Sequence, residues 1–302
     1  MIETWQQALP HGIRLSCRAS GSPGRPVLLF LHGFPEAAFV WDELLEHFAR
    51  PENGGYRCVA PNLRGYEMSS APPDPSAYRA KHLVQDIAAL IAIESPRQPL
   101  ACLVAHDWGG AVAWNLANQQ PALMHRLAIV NSPHPGTFLR ELKTNPKQQA
   151  ASAYMNFLIR PDAETLLAED DYRRLWDFFL NMGAGADGHG WLTDDLKERY
   201  RAVWDQGLTG GLNYYRASPL RPPRPDDAAA SQIELPREML TIAVPTLVLW
   251  GLGDTALPAE LIEGLEDYIP QLTLERVPEA THWIVHEQPR RVIQSLQRLL
   301  AT

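Results

Sequence analysis

Short apolar runs recur along this chain: VLLFLH (27–32), CVAPN (58–62), LACLVAH (100–106), LAIVN (127–131), TLVLWG (246–251) and LTLERV (272–277). Nearly continuous apolar runs of this length suit parallel strands that are buried on both faces. Between them the apolar positions switch to helical spacing, most clearly in KHLVQDIAALIAI (81–93) and AVAWNLANQQ (111–120). Alternation of this kind predicts an α/β fold on a mostly parallel, doubly wound sheet. The opening segment, up to about Ala19, fits an antiparallel pair at the sheet edge.

The alternation stops after Asn131. From about Pro133 to Met239 the patterns are helical and rich in aromatic residues, and strands resume only at Thr246. This predicts a sheet domain (1–132 and 240–302) carrying an inserted helical cap (133–239). SPHPG (132–136) opens the insertion as a loop. ASPLRPPRPDD (217–227) is too rich in proline for helix or strand and is expected to be an exposed linker. MGAGADGHG (182–190) reads as a flexible loop, without the glycine spacing of a phosphate cradle.

Composition narrows the function classes. Of the 302 residues, 45% are hydrophobic and 21% charged, as in a soluble globular protein. The net charge of -8 argues against a nucleic-acid partner, which needs a basic face. Cys17, Cys58 and Cys102 are scattered and lack C-x-x-C spacing, so neither a disulfide framework nor a zinc site is expected. Cys58 and Cys102 read as buried filler. MIETWQQALP has no signal-peptide pattern, and no apolar stretch reaches the ~18 residues of a membrane span. The expectation is a cytoplasmic protein without a membrane span. A homodimer is compatible with the sequence.

The sharpest chemical signal is AHDWGGAVAW (105–114), a strand running into a helix. A nucleophile elbow sets one side chain on such a turn between small residues, and here the apex residue is Asp107. A carboxylate attacks an electrophilic carbon and forms an ester. An aspartate here would also serve as an ordinary helix N-cap. Asp254 in WGLGD and His282 in PEATHW each follow a strand, giving the order nucleophile, acid, histidine that this architecture uses. HGFP (32–35) follows another strand, where a loop amide can face an oxyanion; the expected donors are the amides of Phe34 and Trp108. His282 and His286 lie four apart, but Trp283 stands where a zinc helix needs glutamate. His106 reads as packing, since neighbours along a strand face opposite sides.

HGFPE (32–36), LRGY (63–66), HDWGGAVAWNLA (106–117), NSPHP (131–135), NYYR (213–216), VLWGLGD (248–254) and EATHW (279–283) together resemble the epoxide hydrolases of the α/β-hydrolase superfamily. The resemblance runs from about Ile13 to the C-terminus. It implies a Tyr154–Tyr215 pair in the cap that holds the epoxide oxygen, with Tyr214 left as packing. It implies a small apolar epoxide as substrate and no metal or organic cofactor. The haloacetate dehalogenases are similar, but they place arginines where Trp108 and Ala111 stand, a His-Trp pair at Tyr154 and Met155, and the triad acid at Asn131. Haloalkane dehalogenases share the Asp-Trp pair but commonly carry Asn or Glu at Phe34. A third reading is a non-catalytic ligand-binding protein on the same fold; such proteins usually break the triad, which is complete here. Two departures from the family bear on the substrate entrance: Glu67 replaces the last glycine of R-G-Y-G, and the stretch after NYYR is longer than usual.

Overall fold

Every residue of VLLFL, RCVAP, CLVAH, LAIV and TLVLWG is buried, as strands covered on both faces require. The structure, a computed structural model, describes residues 1–185, 190–224, 227 and 232–301. Its strands are β1 (Glu3–Ala8), β2 (Arg14–Ser20), β3 (Val27–Leu31), β4 (Arg57–Pro61), β5 (Cys102–His106), β6 (Leu127–Val130), β7 (Thr246–Gly251) and β8 (Leu272–Val277). They form one sheet in the order β1-β2-β4-β3-β5-β6-β7-β8. Only the β1–β2 and β2–β4 pairings are antiparallel. The edge strands β1 and β8 mix exposed with half-buried positions.

This order locates the site. From β3 the chain moves outward to β4, then crosses back to β5 on the other side of β3. Loops leaving the carboxyl ends of β3 and β5 therefore diverge and open a crevice, the usual ligand position in such sheets. HGFP leaves β3 and Asp107 leaves β5.

The sheet is covered by α1 (Asp42–Ala49), α2 (Ala80–Glu94) and α3 (Asp107–Gln119). Between β6 and β7 the described chain is helical: α4 (Pro135–Thr144), α5 (Pro146–Ala151), α6 (Tyr154–Leu158), α7 (Ala163–Asn181), α8 (Asp194–Trp204) and α9 (Thr209–Ala217). After β8 come α10 (Ile284–Glu287) and α11 (Pro289–Leu300). No helix among the described residues is long and apolar enough to cross a membrane. All three cysteines are free and buried.

Several boundaries differ from the expected ones. Helix α3 starts at Asp107, four residues before the expected 111. Helix α4 starts inside the expected SPHPG loop, because Pro135 is pre-set for a first turn and His134 Nδ1 accepts from the Gly136 amide at 3.2 Å. Helix α7 breaks at Glu169–Tyr172, with φ of 51, 56 and 60 at Asp170, Asp171 and Tyr172. In the 182–190 loop, residues 182–185 form a turn, and 186–189 lie outside the described residues. The 217–227 linker, apart from residues 225–226, which are not described, is neither helix nor strand save for an isolated bridge between Arg224 and Asp227. It is not simply exposed, however: Ala217, Ser218 and Leu220 are half-buried and Pro222 is buried. Ala217, Ser218 and Leu220 line a cavity, described below.

Candidate active site

Asp107 has a φ of 49. A non-glycine residue in the left-handed region costs roughly 1–3 kcal/mol and persists only where its surroundings over-determine it. Two contacts do so here. Ser132 Oγ donates to the Asp107 carbonyl at 2.6 Å, and the Phe34 amide donates to Asp107 Oδ1 at 2.7 Å. The loop after β3 can come this close only because it carries glycine: a Cβ at Gly33 would lie 2.3 Å from that of Asp107. A Cβ at Gly109 would lie 2.5 Å from the Leu31 carbonyl oxygen. The DWGG stretch, which looks like a turn, is thus the first turn of a helix pressed against β3. Trp108 sits in that turn, where amides have no partner within the helix.

Asp254 follows β7, and all four of its acceptor directions are used. Oδ1 accepts from the amides of Ala256 and Leu257 at 3.0 and 2.8 Å. Oδ2 accepts from Asn131 Nδ2 at 2.8 Å and lies 2.7 Å from His282 Nδ1. Asn131 takes a φ of 37, which its short amide tolerates, and its Oδ1 accepts from the Gly251 amide at 2.8 Å. On the other side of the ring, His282 Nε2 faces Asp107 Oδ2 at 3.8 Å. That is too long for a hydrogen bond but short enough for strong attraction between charges. Burial alone weakens His282 as a base; the carboxylates of Asp254, Asp107 and Glu36 outweigh it and lift the pKa to about 9.

Behind His282 lies a polar cluster that the sequence pattern does not reveal. His106, read as packing, is buried, but its ring carries polar contacts: Nε2 is hydrogen-bonded to the His282 carbonyl oxygen at 3.0 Å, and Nδ1 lies in ion-pair range of Glu36 Oε2 at 3.2 Å. Glu36 Oε1 accepts from Tyr200 on α8 at 2.8 Å and lies 2.6 Å from His286 Nε2. Burial would raise the Glu36 pKa; His106 and His286 reverse this and hold the carboxyl well below the usual range. A charge this deeply buried has to be paired. Its only signal in the sequence is a lone carboxylate ahead of the apolar AAFVW.

Tyr154 on α6 and Tyr215 on α9 stand over this machinery with ring centroids 6.2 Å apart. Trp108 meets Tyr215 edge-on at 5.0 Å. Burial, with Asp107 adding to it, raises both phenol pKa values far above the ordinary value, so both remain protonated donors throughout the working pH range. Tyr214 is buried against Tyr66, Tyr78 and Trp108, and its hydroxyl donates to the Arg64 carbonyl at 2.9 Å. Asp107, Trp108, Tyr154 and Tyr215 all line one cavity of about 280 Å³. Glu67 is not among its lining residues. It holds its turn at a φ of 46, the region where glycine is at ease, and directs its carboxylate to Asn62.

The expected set is therefore brought together: Asp107, Asp254 and His282 form one chain of contacts, the Phe34 amide reaches the Asp107 carboxylate, and the two tyrosines face the same space. Asn131, Ser132 and Glu36 complete it.

A family described as the alpha/beta hydrolase fold matches residues 26–289. The chain is 34% identical to the AB hydrolase superfamily protein YfhM of Bacillus subtilis (strain 168), covering 96% of this chain and 95% of that one. It is 33% identical to Epoxide hydrolase 4 of Homo sapiens, over 92% of this chain and 73% of that protein. Among solved structures, an epoxide hydrolase of Bacillus megaterium in complex with an inhibitor superposes with a TM-score of 0.85 at 29% identity, covering 99% of this chain and all of that one. Potato (Solanum tuberosum) epoxide hydrolase I gives a TM-score of 0.82 at 25% identity, covering 100% of this chain and 99% of that one.

Proposed function

The chain belongs to the α/β-hydrolase-fold family and within it to the epoxide hydrolases, and we propose that it opens an apolar epoxide to a vicinal diol through a covalent ester on Asp107. The observation that carries this reading is a carboxylate on a strained strand-to-helix turn that shares an apolar cavity with two protonated phenols. The helical block 133–239, which supplies both phenols, is read as a cap over the sheet domain formed by 1–132 and 240–302.

In the first step Asp107 Oδ2 attacks a ring carbon from the face opposite the breaking C–O bond. Oδ1 becomes the ester carbonyl oxygen, a role supported by its bond to the Phe34 amide. The leaving alkoxide, a stronger base than a phenolate, takes a proton from Tyr154 or Tyr215, whose phenols burial keeps protonated. Ester formation removes the negative charge on Asp107. One of the carboxylates holding His282 in its protonated form is then gone, so the imidazole becomes a readier base. His282 takes a proton from water, which attacks the ester carbonyl; Asp254 steadies the imidazolium. The tetrahedral oxyanion sits against the amides of Phe34 and Trp108, where losing one donor typically costs about 2.7–4 kcal/mol. Its collapse breaks the bond between the Asp107 carboxyl carbon and the substrate oxygen, His282 returns its proton to that oxygen as the diol leaves, and the proton left on the Asp107 carboxyl restores the phenol. The route uses side chains, two backbone amides and water. Among the described residues no cation lines the cavity, which disfavours a haloacetate as substrate.

One experiment tests the two-step route. In a single turnover in oxygen-18 water with enzyme in excess, label is expected in the peptide containing Asp107 while the diol stays unlabelled. His282→Gln is expected to alkylate and stall, gaining the mass of the epoxide. Immediate label in the diol alone would demote Asp107 to a general base.

A further inference from the structure

The cavity has a direction. From Asp107 it follows one face of α3, past Trp108, Ala111, Val112 and Asn115, positions spaced one and two turns apart. At 1.5 Å of rise per residue this face reaches roughly 12 Å beyond the nucleophile. Its far wall is apolar: Leu83 of α2, the linker residues Pro219 and Leu220, and Leu235 and Met239. Met239 is 54% exposed, which places the cavity mouth at this far end.

The other side of the tyrosine pair is filled. Phe34 stacks edge-on against Tyr215 at 5.2 Å, and Phe178 against Tyr154 at 5.3 Å. The two phenylalanines meet each other at 5.9 Å, closing an aromatic box. Both touch the tyrosines, and the Phe34 amide touches Asp107, yet neither ring lines the cavity. An epoxide held between Asp107 and the phenols thus finds room for a long substituent along α3, while the aromatic box stands on the other side of the phenols.

From this geometry, and resting on the epoxide-opening reading above, we propose that the site selects terminal epoxides bearing one extended apolar substituent. Phe34 and Phe178 are the wall that excludes a second arm. A single methylene that a pocket cannot house is worth about 10–200-fold in discrimination, so a butyl group pressed against this wall exceeds that of one methylene.

The test compares two isomers of equal formula, 1,2-epoxydecane and trans-5,6-epoxydecane, by kcat/KM. The expected result is a preference for the terminal isomer of at least about 100-fold. In Phe178→Ala the ratio is expected to fall by at least tenfold (about 1.4 kcal/mol), because the internal isomer gains. Phe178→Leu, a milder truncation of the same wall, should move the ratio the same way and guards against a misfolded alanine variant. Hydrolysis of both isomers within threefold of each other by the parent enzyme overturns the shape proposal while leaving epoxide opening intact. Failure to open either isomer, or styrene oxide beside them, overturns the epoxide reading itself. A parent preference that both Phe178 variants leave unchanged removes Phe178 from the wall.

Discussion

The floor and the roof of the cavity are built on different principles. The floor is a hydrogen-bonded lattice at the ends of β3, β5, β6 and β7, in which Asp254 spends every acceptor direction and Asp107 is fixed from two sides. The roof is aromatic: Tyr154 and Tyr215 are held by ring contacts with each other and with Phe34, Phe178 and Trp108. Hydrogen bonds are directional and lose their strength steeply when bent. Ring packing tolerates offsets, with centroids anywhere from 4.5 to 7 Å apart. The floor can therefore hold reacting atoms to a fraction of an ångström, while the roof can shift to accept different ring substituents. On this view, loss of a reacting group of the floor should be close to all-or-none, and loss of a reacting group of the roof graded.

Removing the nucleophile gives the largest effect. Asp107→Ala is expected to lower diol formation by at least about 10⁴-fold, as loss of a nucleophile does in other covalent mechanisms. The variant should fold, because alanine removes the carboxylate without adding volume; circular dichroism checks this. Measurable turnover by a folded variant would break the contrast, since the floor would then contain a substitute.

The roof should respond in steps. Tyr154→Phe and Tyr215→Phe are each expected to cost about 10-fold in the rate of epoxide opening, and the double variant about 10³-fold, within the range for general acid catalysis. Each single variant retains a phenol that still reaches the oxygen. Stopped-flow quenching of tryptophan fluorescence during alkylation gives these rates. A single variant as poor as the double one would mean that only one phenol donates, and the roof would be no more tolerant than the floor.

The same contrast explains what could be read from the sequence. Backbone requirements leave local patterns: buried strands as unbroken apolar runs, the elbow as a strand-to-helix turn, the triad as polar residues just past strands. Those patterns pointed to Asp107, Asp254 and His282 directly. Ring packing leaves no such trace. Tyr154 and Tyr215 were distinguishable from other aromatics of the helical block only through family resemblance. Residues acting through distant partners were hidden as well. Glu36 meets its partners on α8 and α10, 164 and 250 positions away. Asn131 stood out only as a position where a related family keeps an acid, and its own link to Asp254 spans 123 positions. The linker after α9 looked exposed because proline excludes regular structure, yet lack of regular structure does not prevent burial of Pro222 or Leu220's half-burial.

Asn131 offers the finest test of the floor, because a single hydrogen bond ties its side chain to the triad acid. Its amide donates to the Asp254 oxygen that also faces His282 Nδ1. This donor draws charge density from the carboxylate and fixes its plane. In Asn131→Ala the carboxylate loses that competitor and attracts the imidazolium more strongly, so the His282 pKa, already raised to about 9, should rise further. The sign follows for both observables. A raised histidine pKa stabilises the fold below the unfolded value of about 6.5, and the benefit is lost as pH climbs through the folded value, so the variant should retain this benefit to higher pH than the parent. Catalysis moves the other way. Ester hydrolysis needs neutral His282, so the acid limb of kcat should shift upward by several tenths of a pH unit, with kcat at pH 7 reduced about 2- to 5-fold. A kcat profile over pH 5 to 9 reads both the shift and the loss. If the rate falls while the limb stays where it is in the parent, Asn131 is a spacer between β6 and β7 and does not tune the acid. If neither changes, the floor holds Asp254 with its two backbone amides alone.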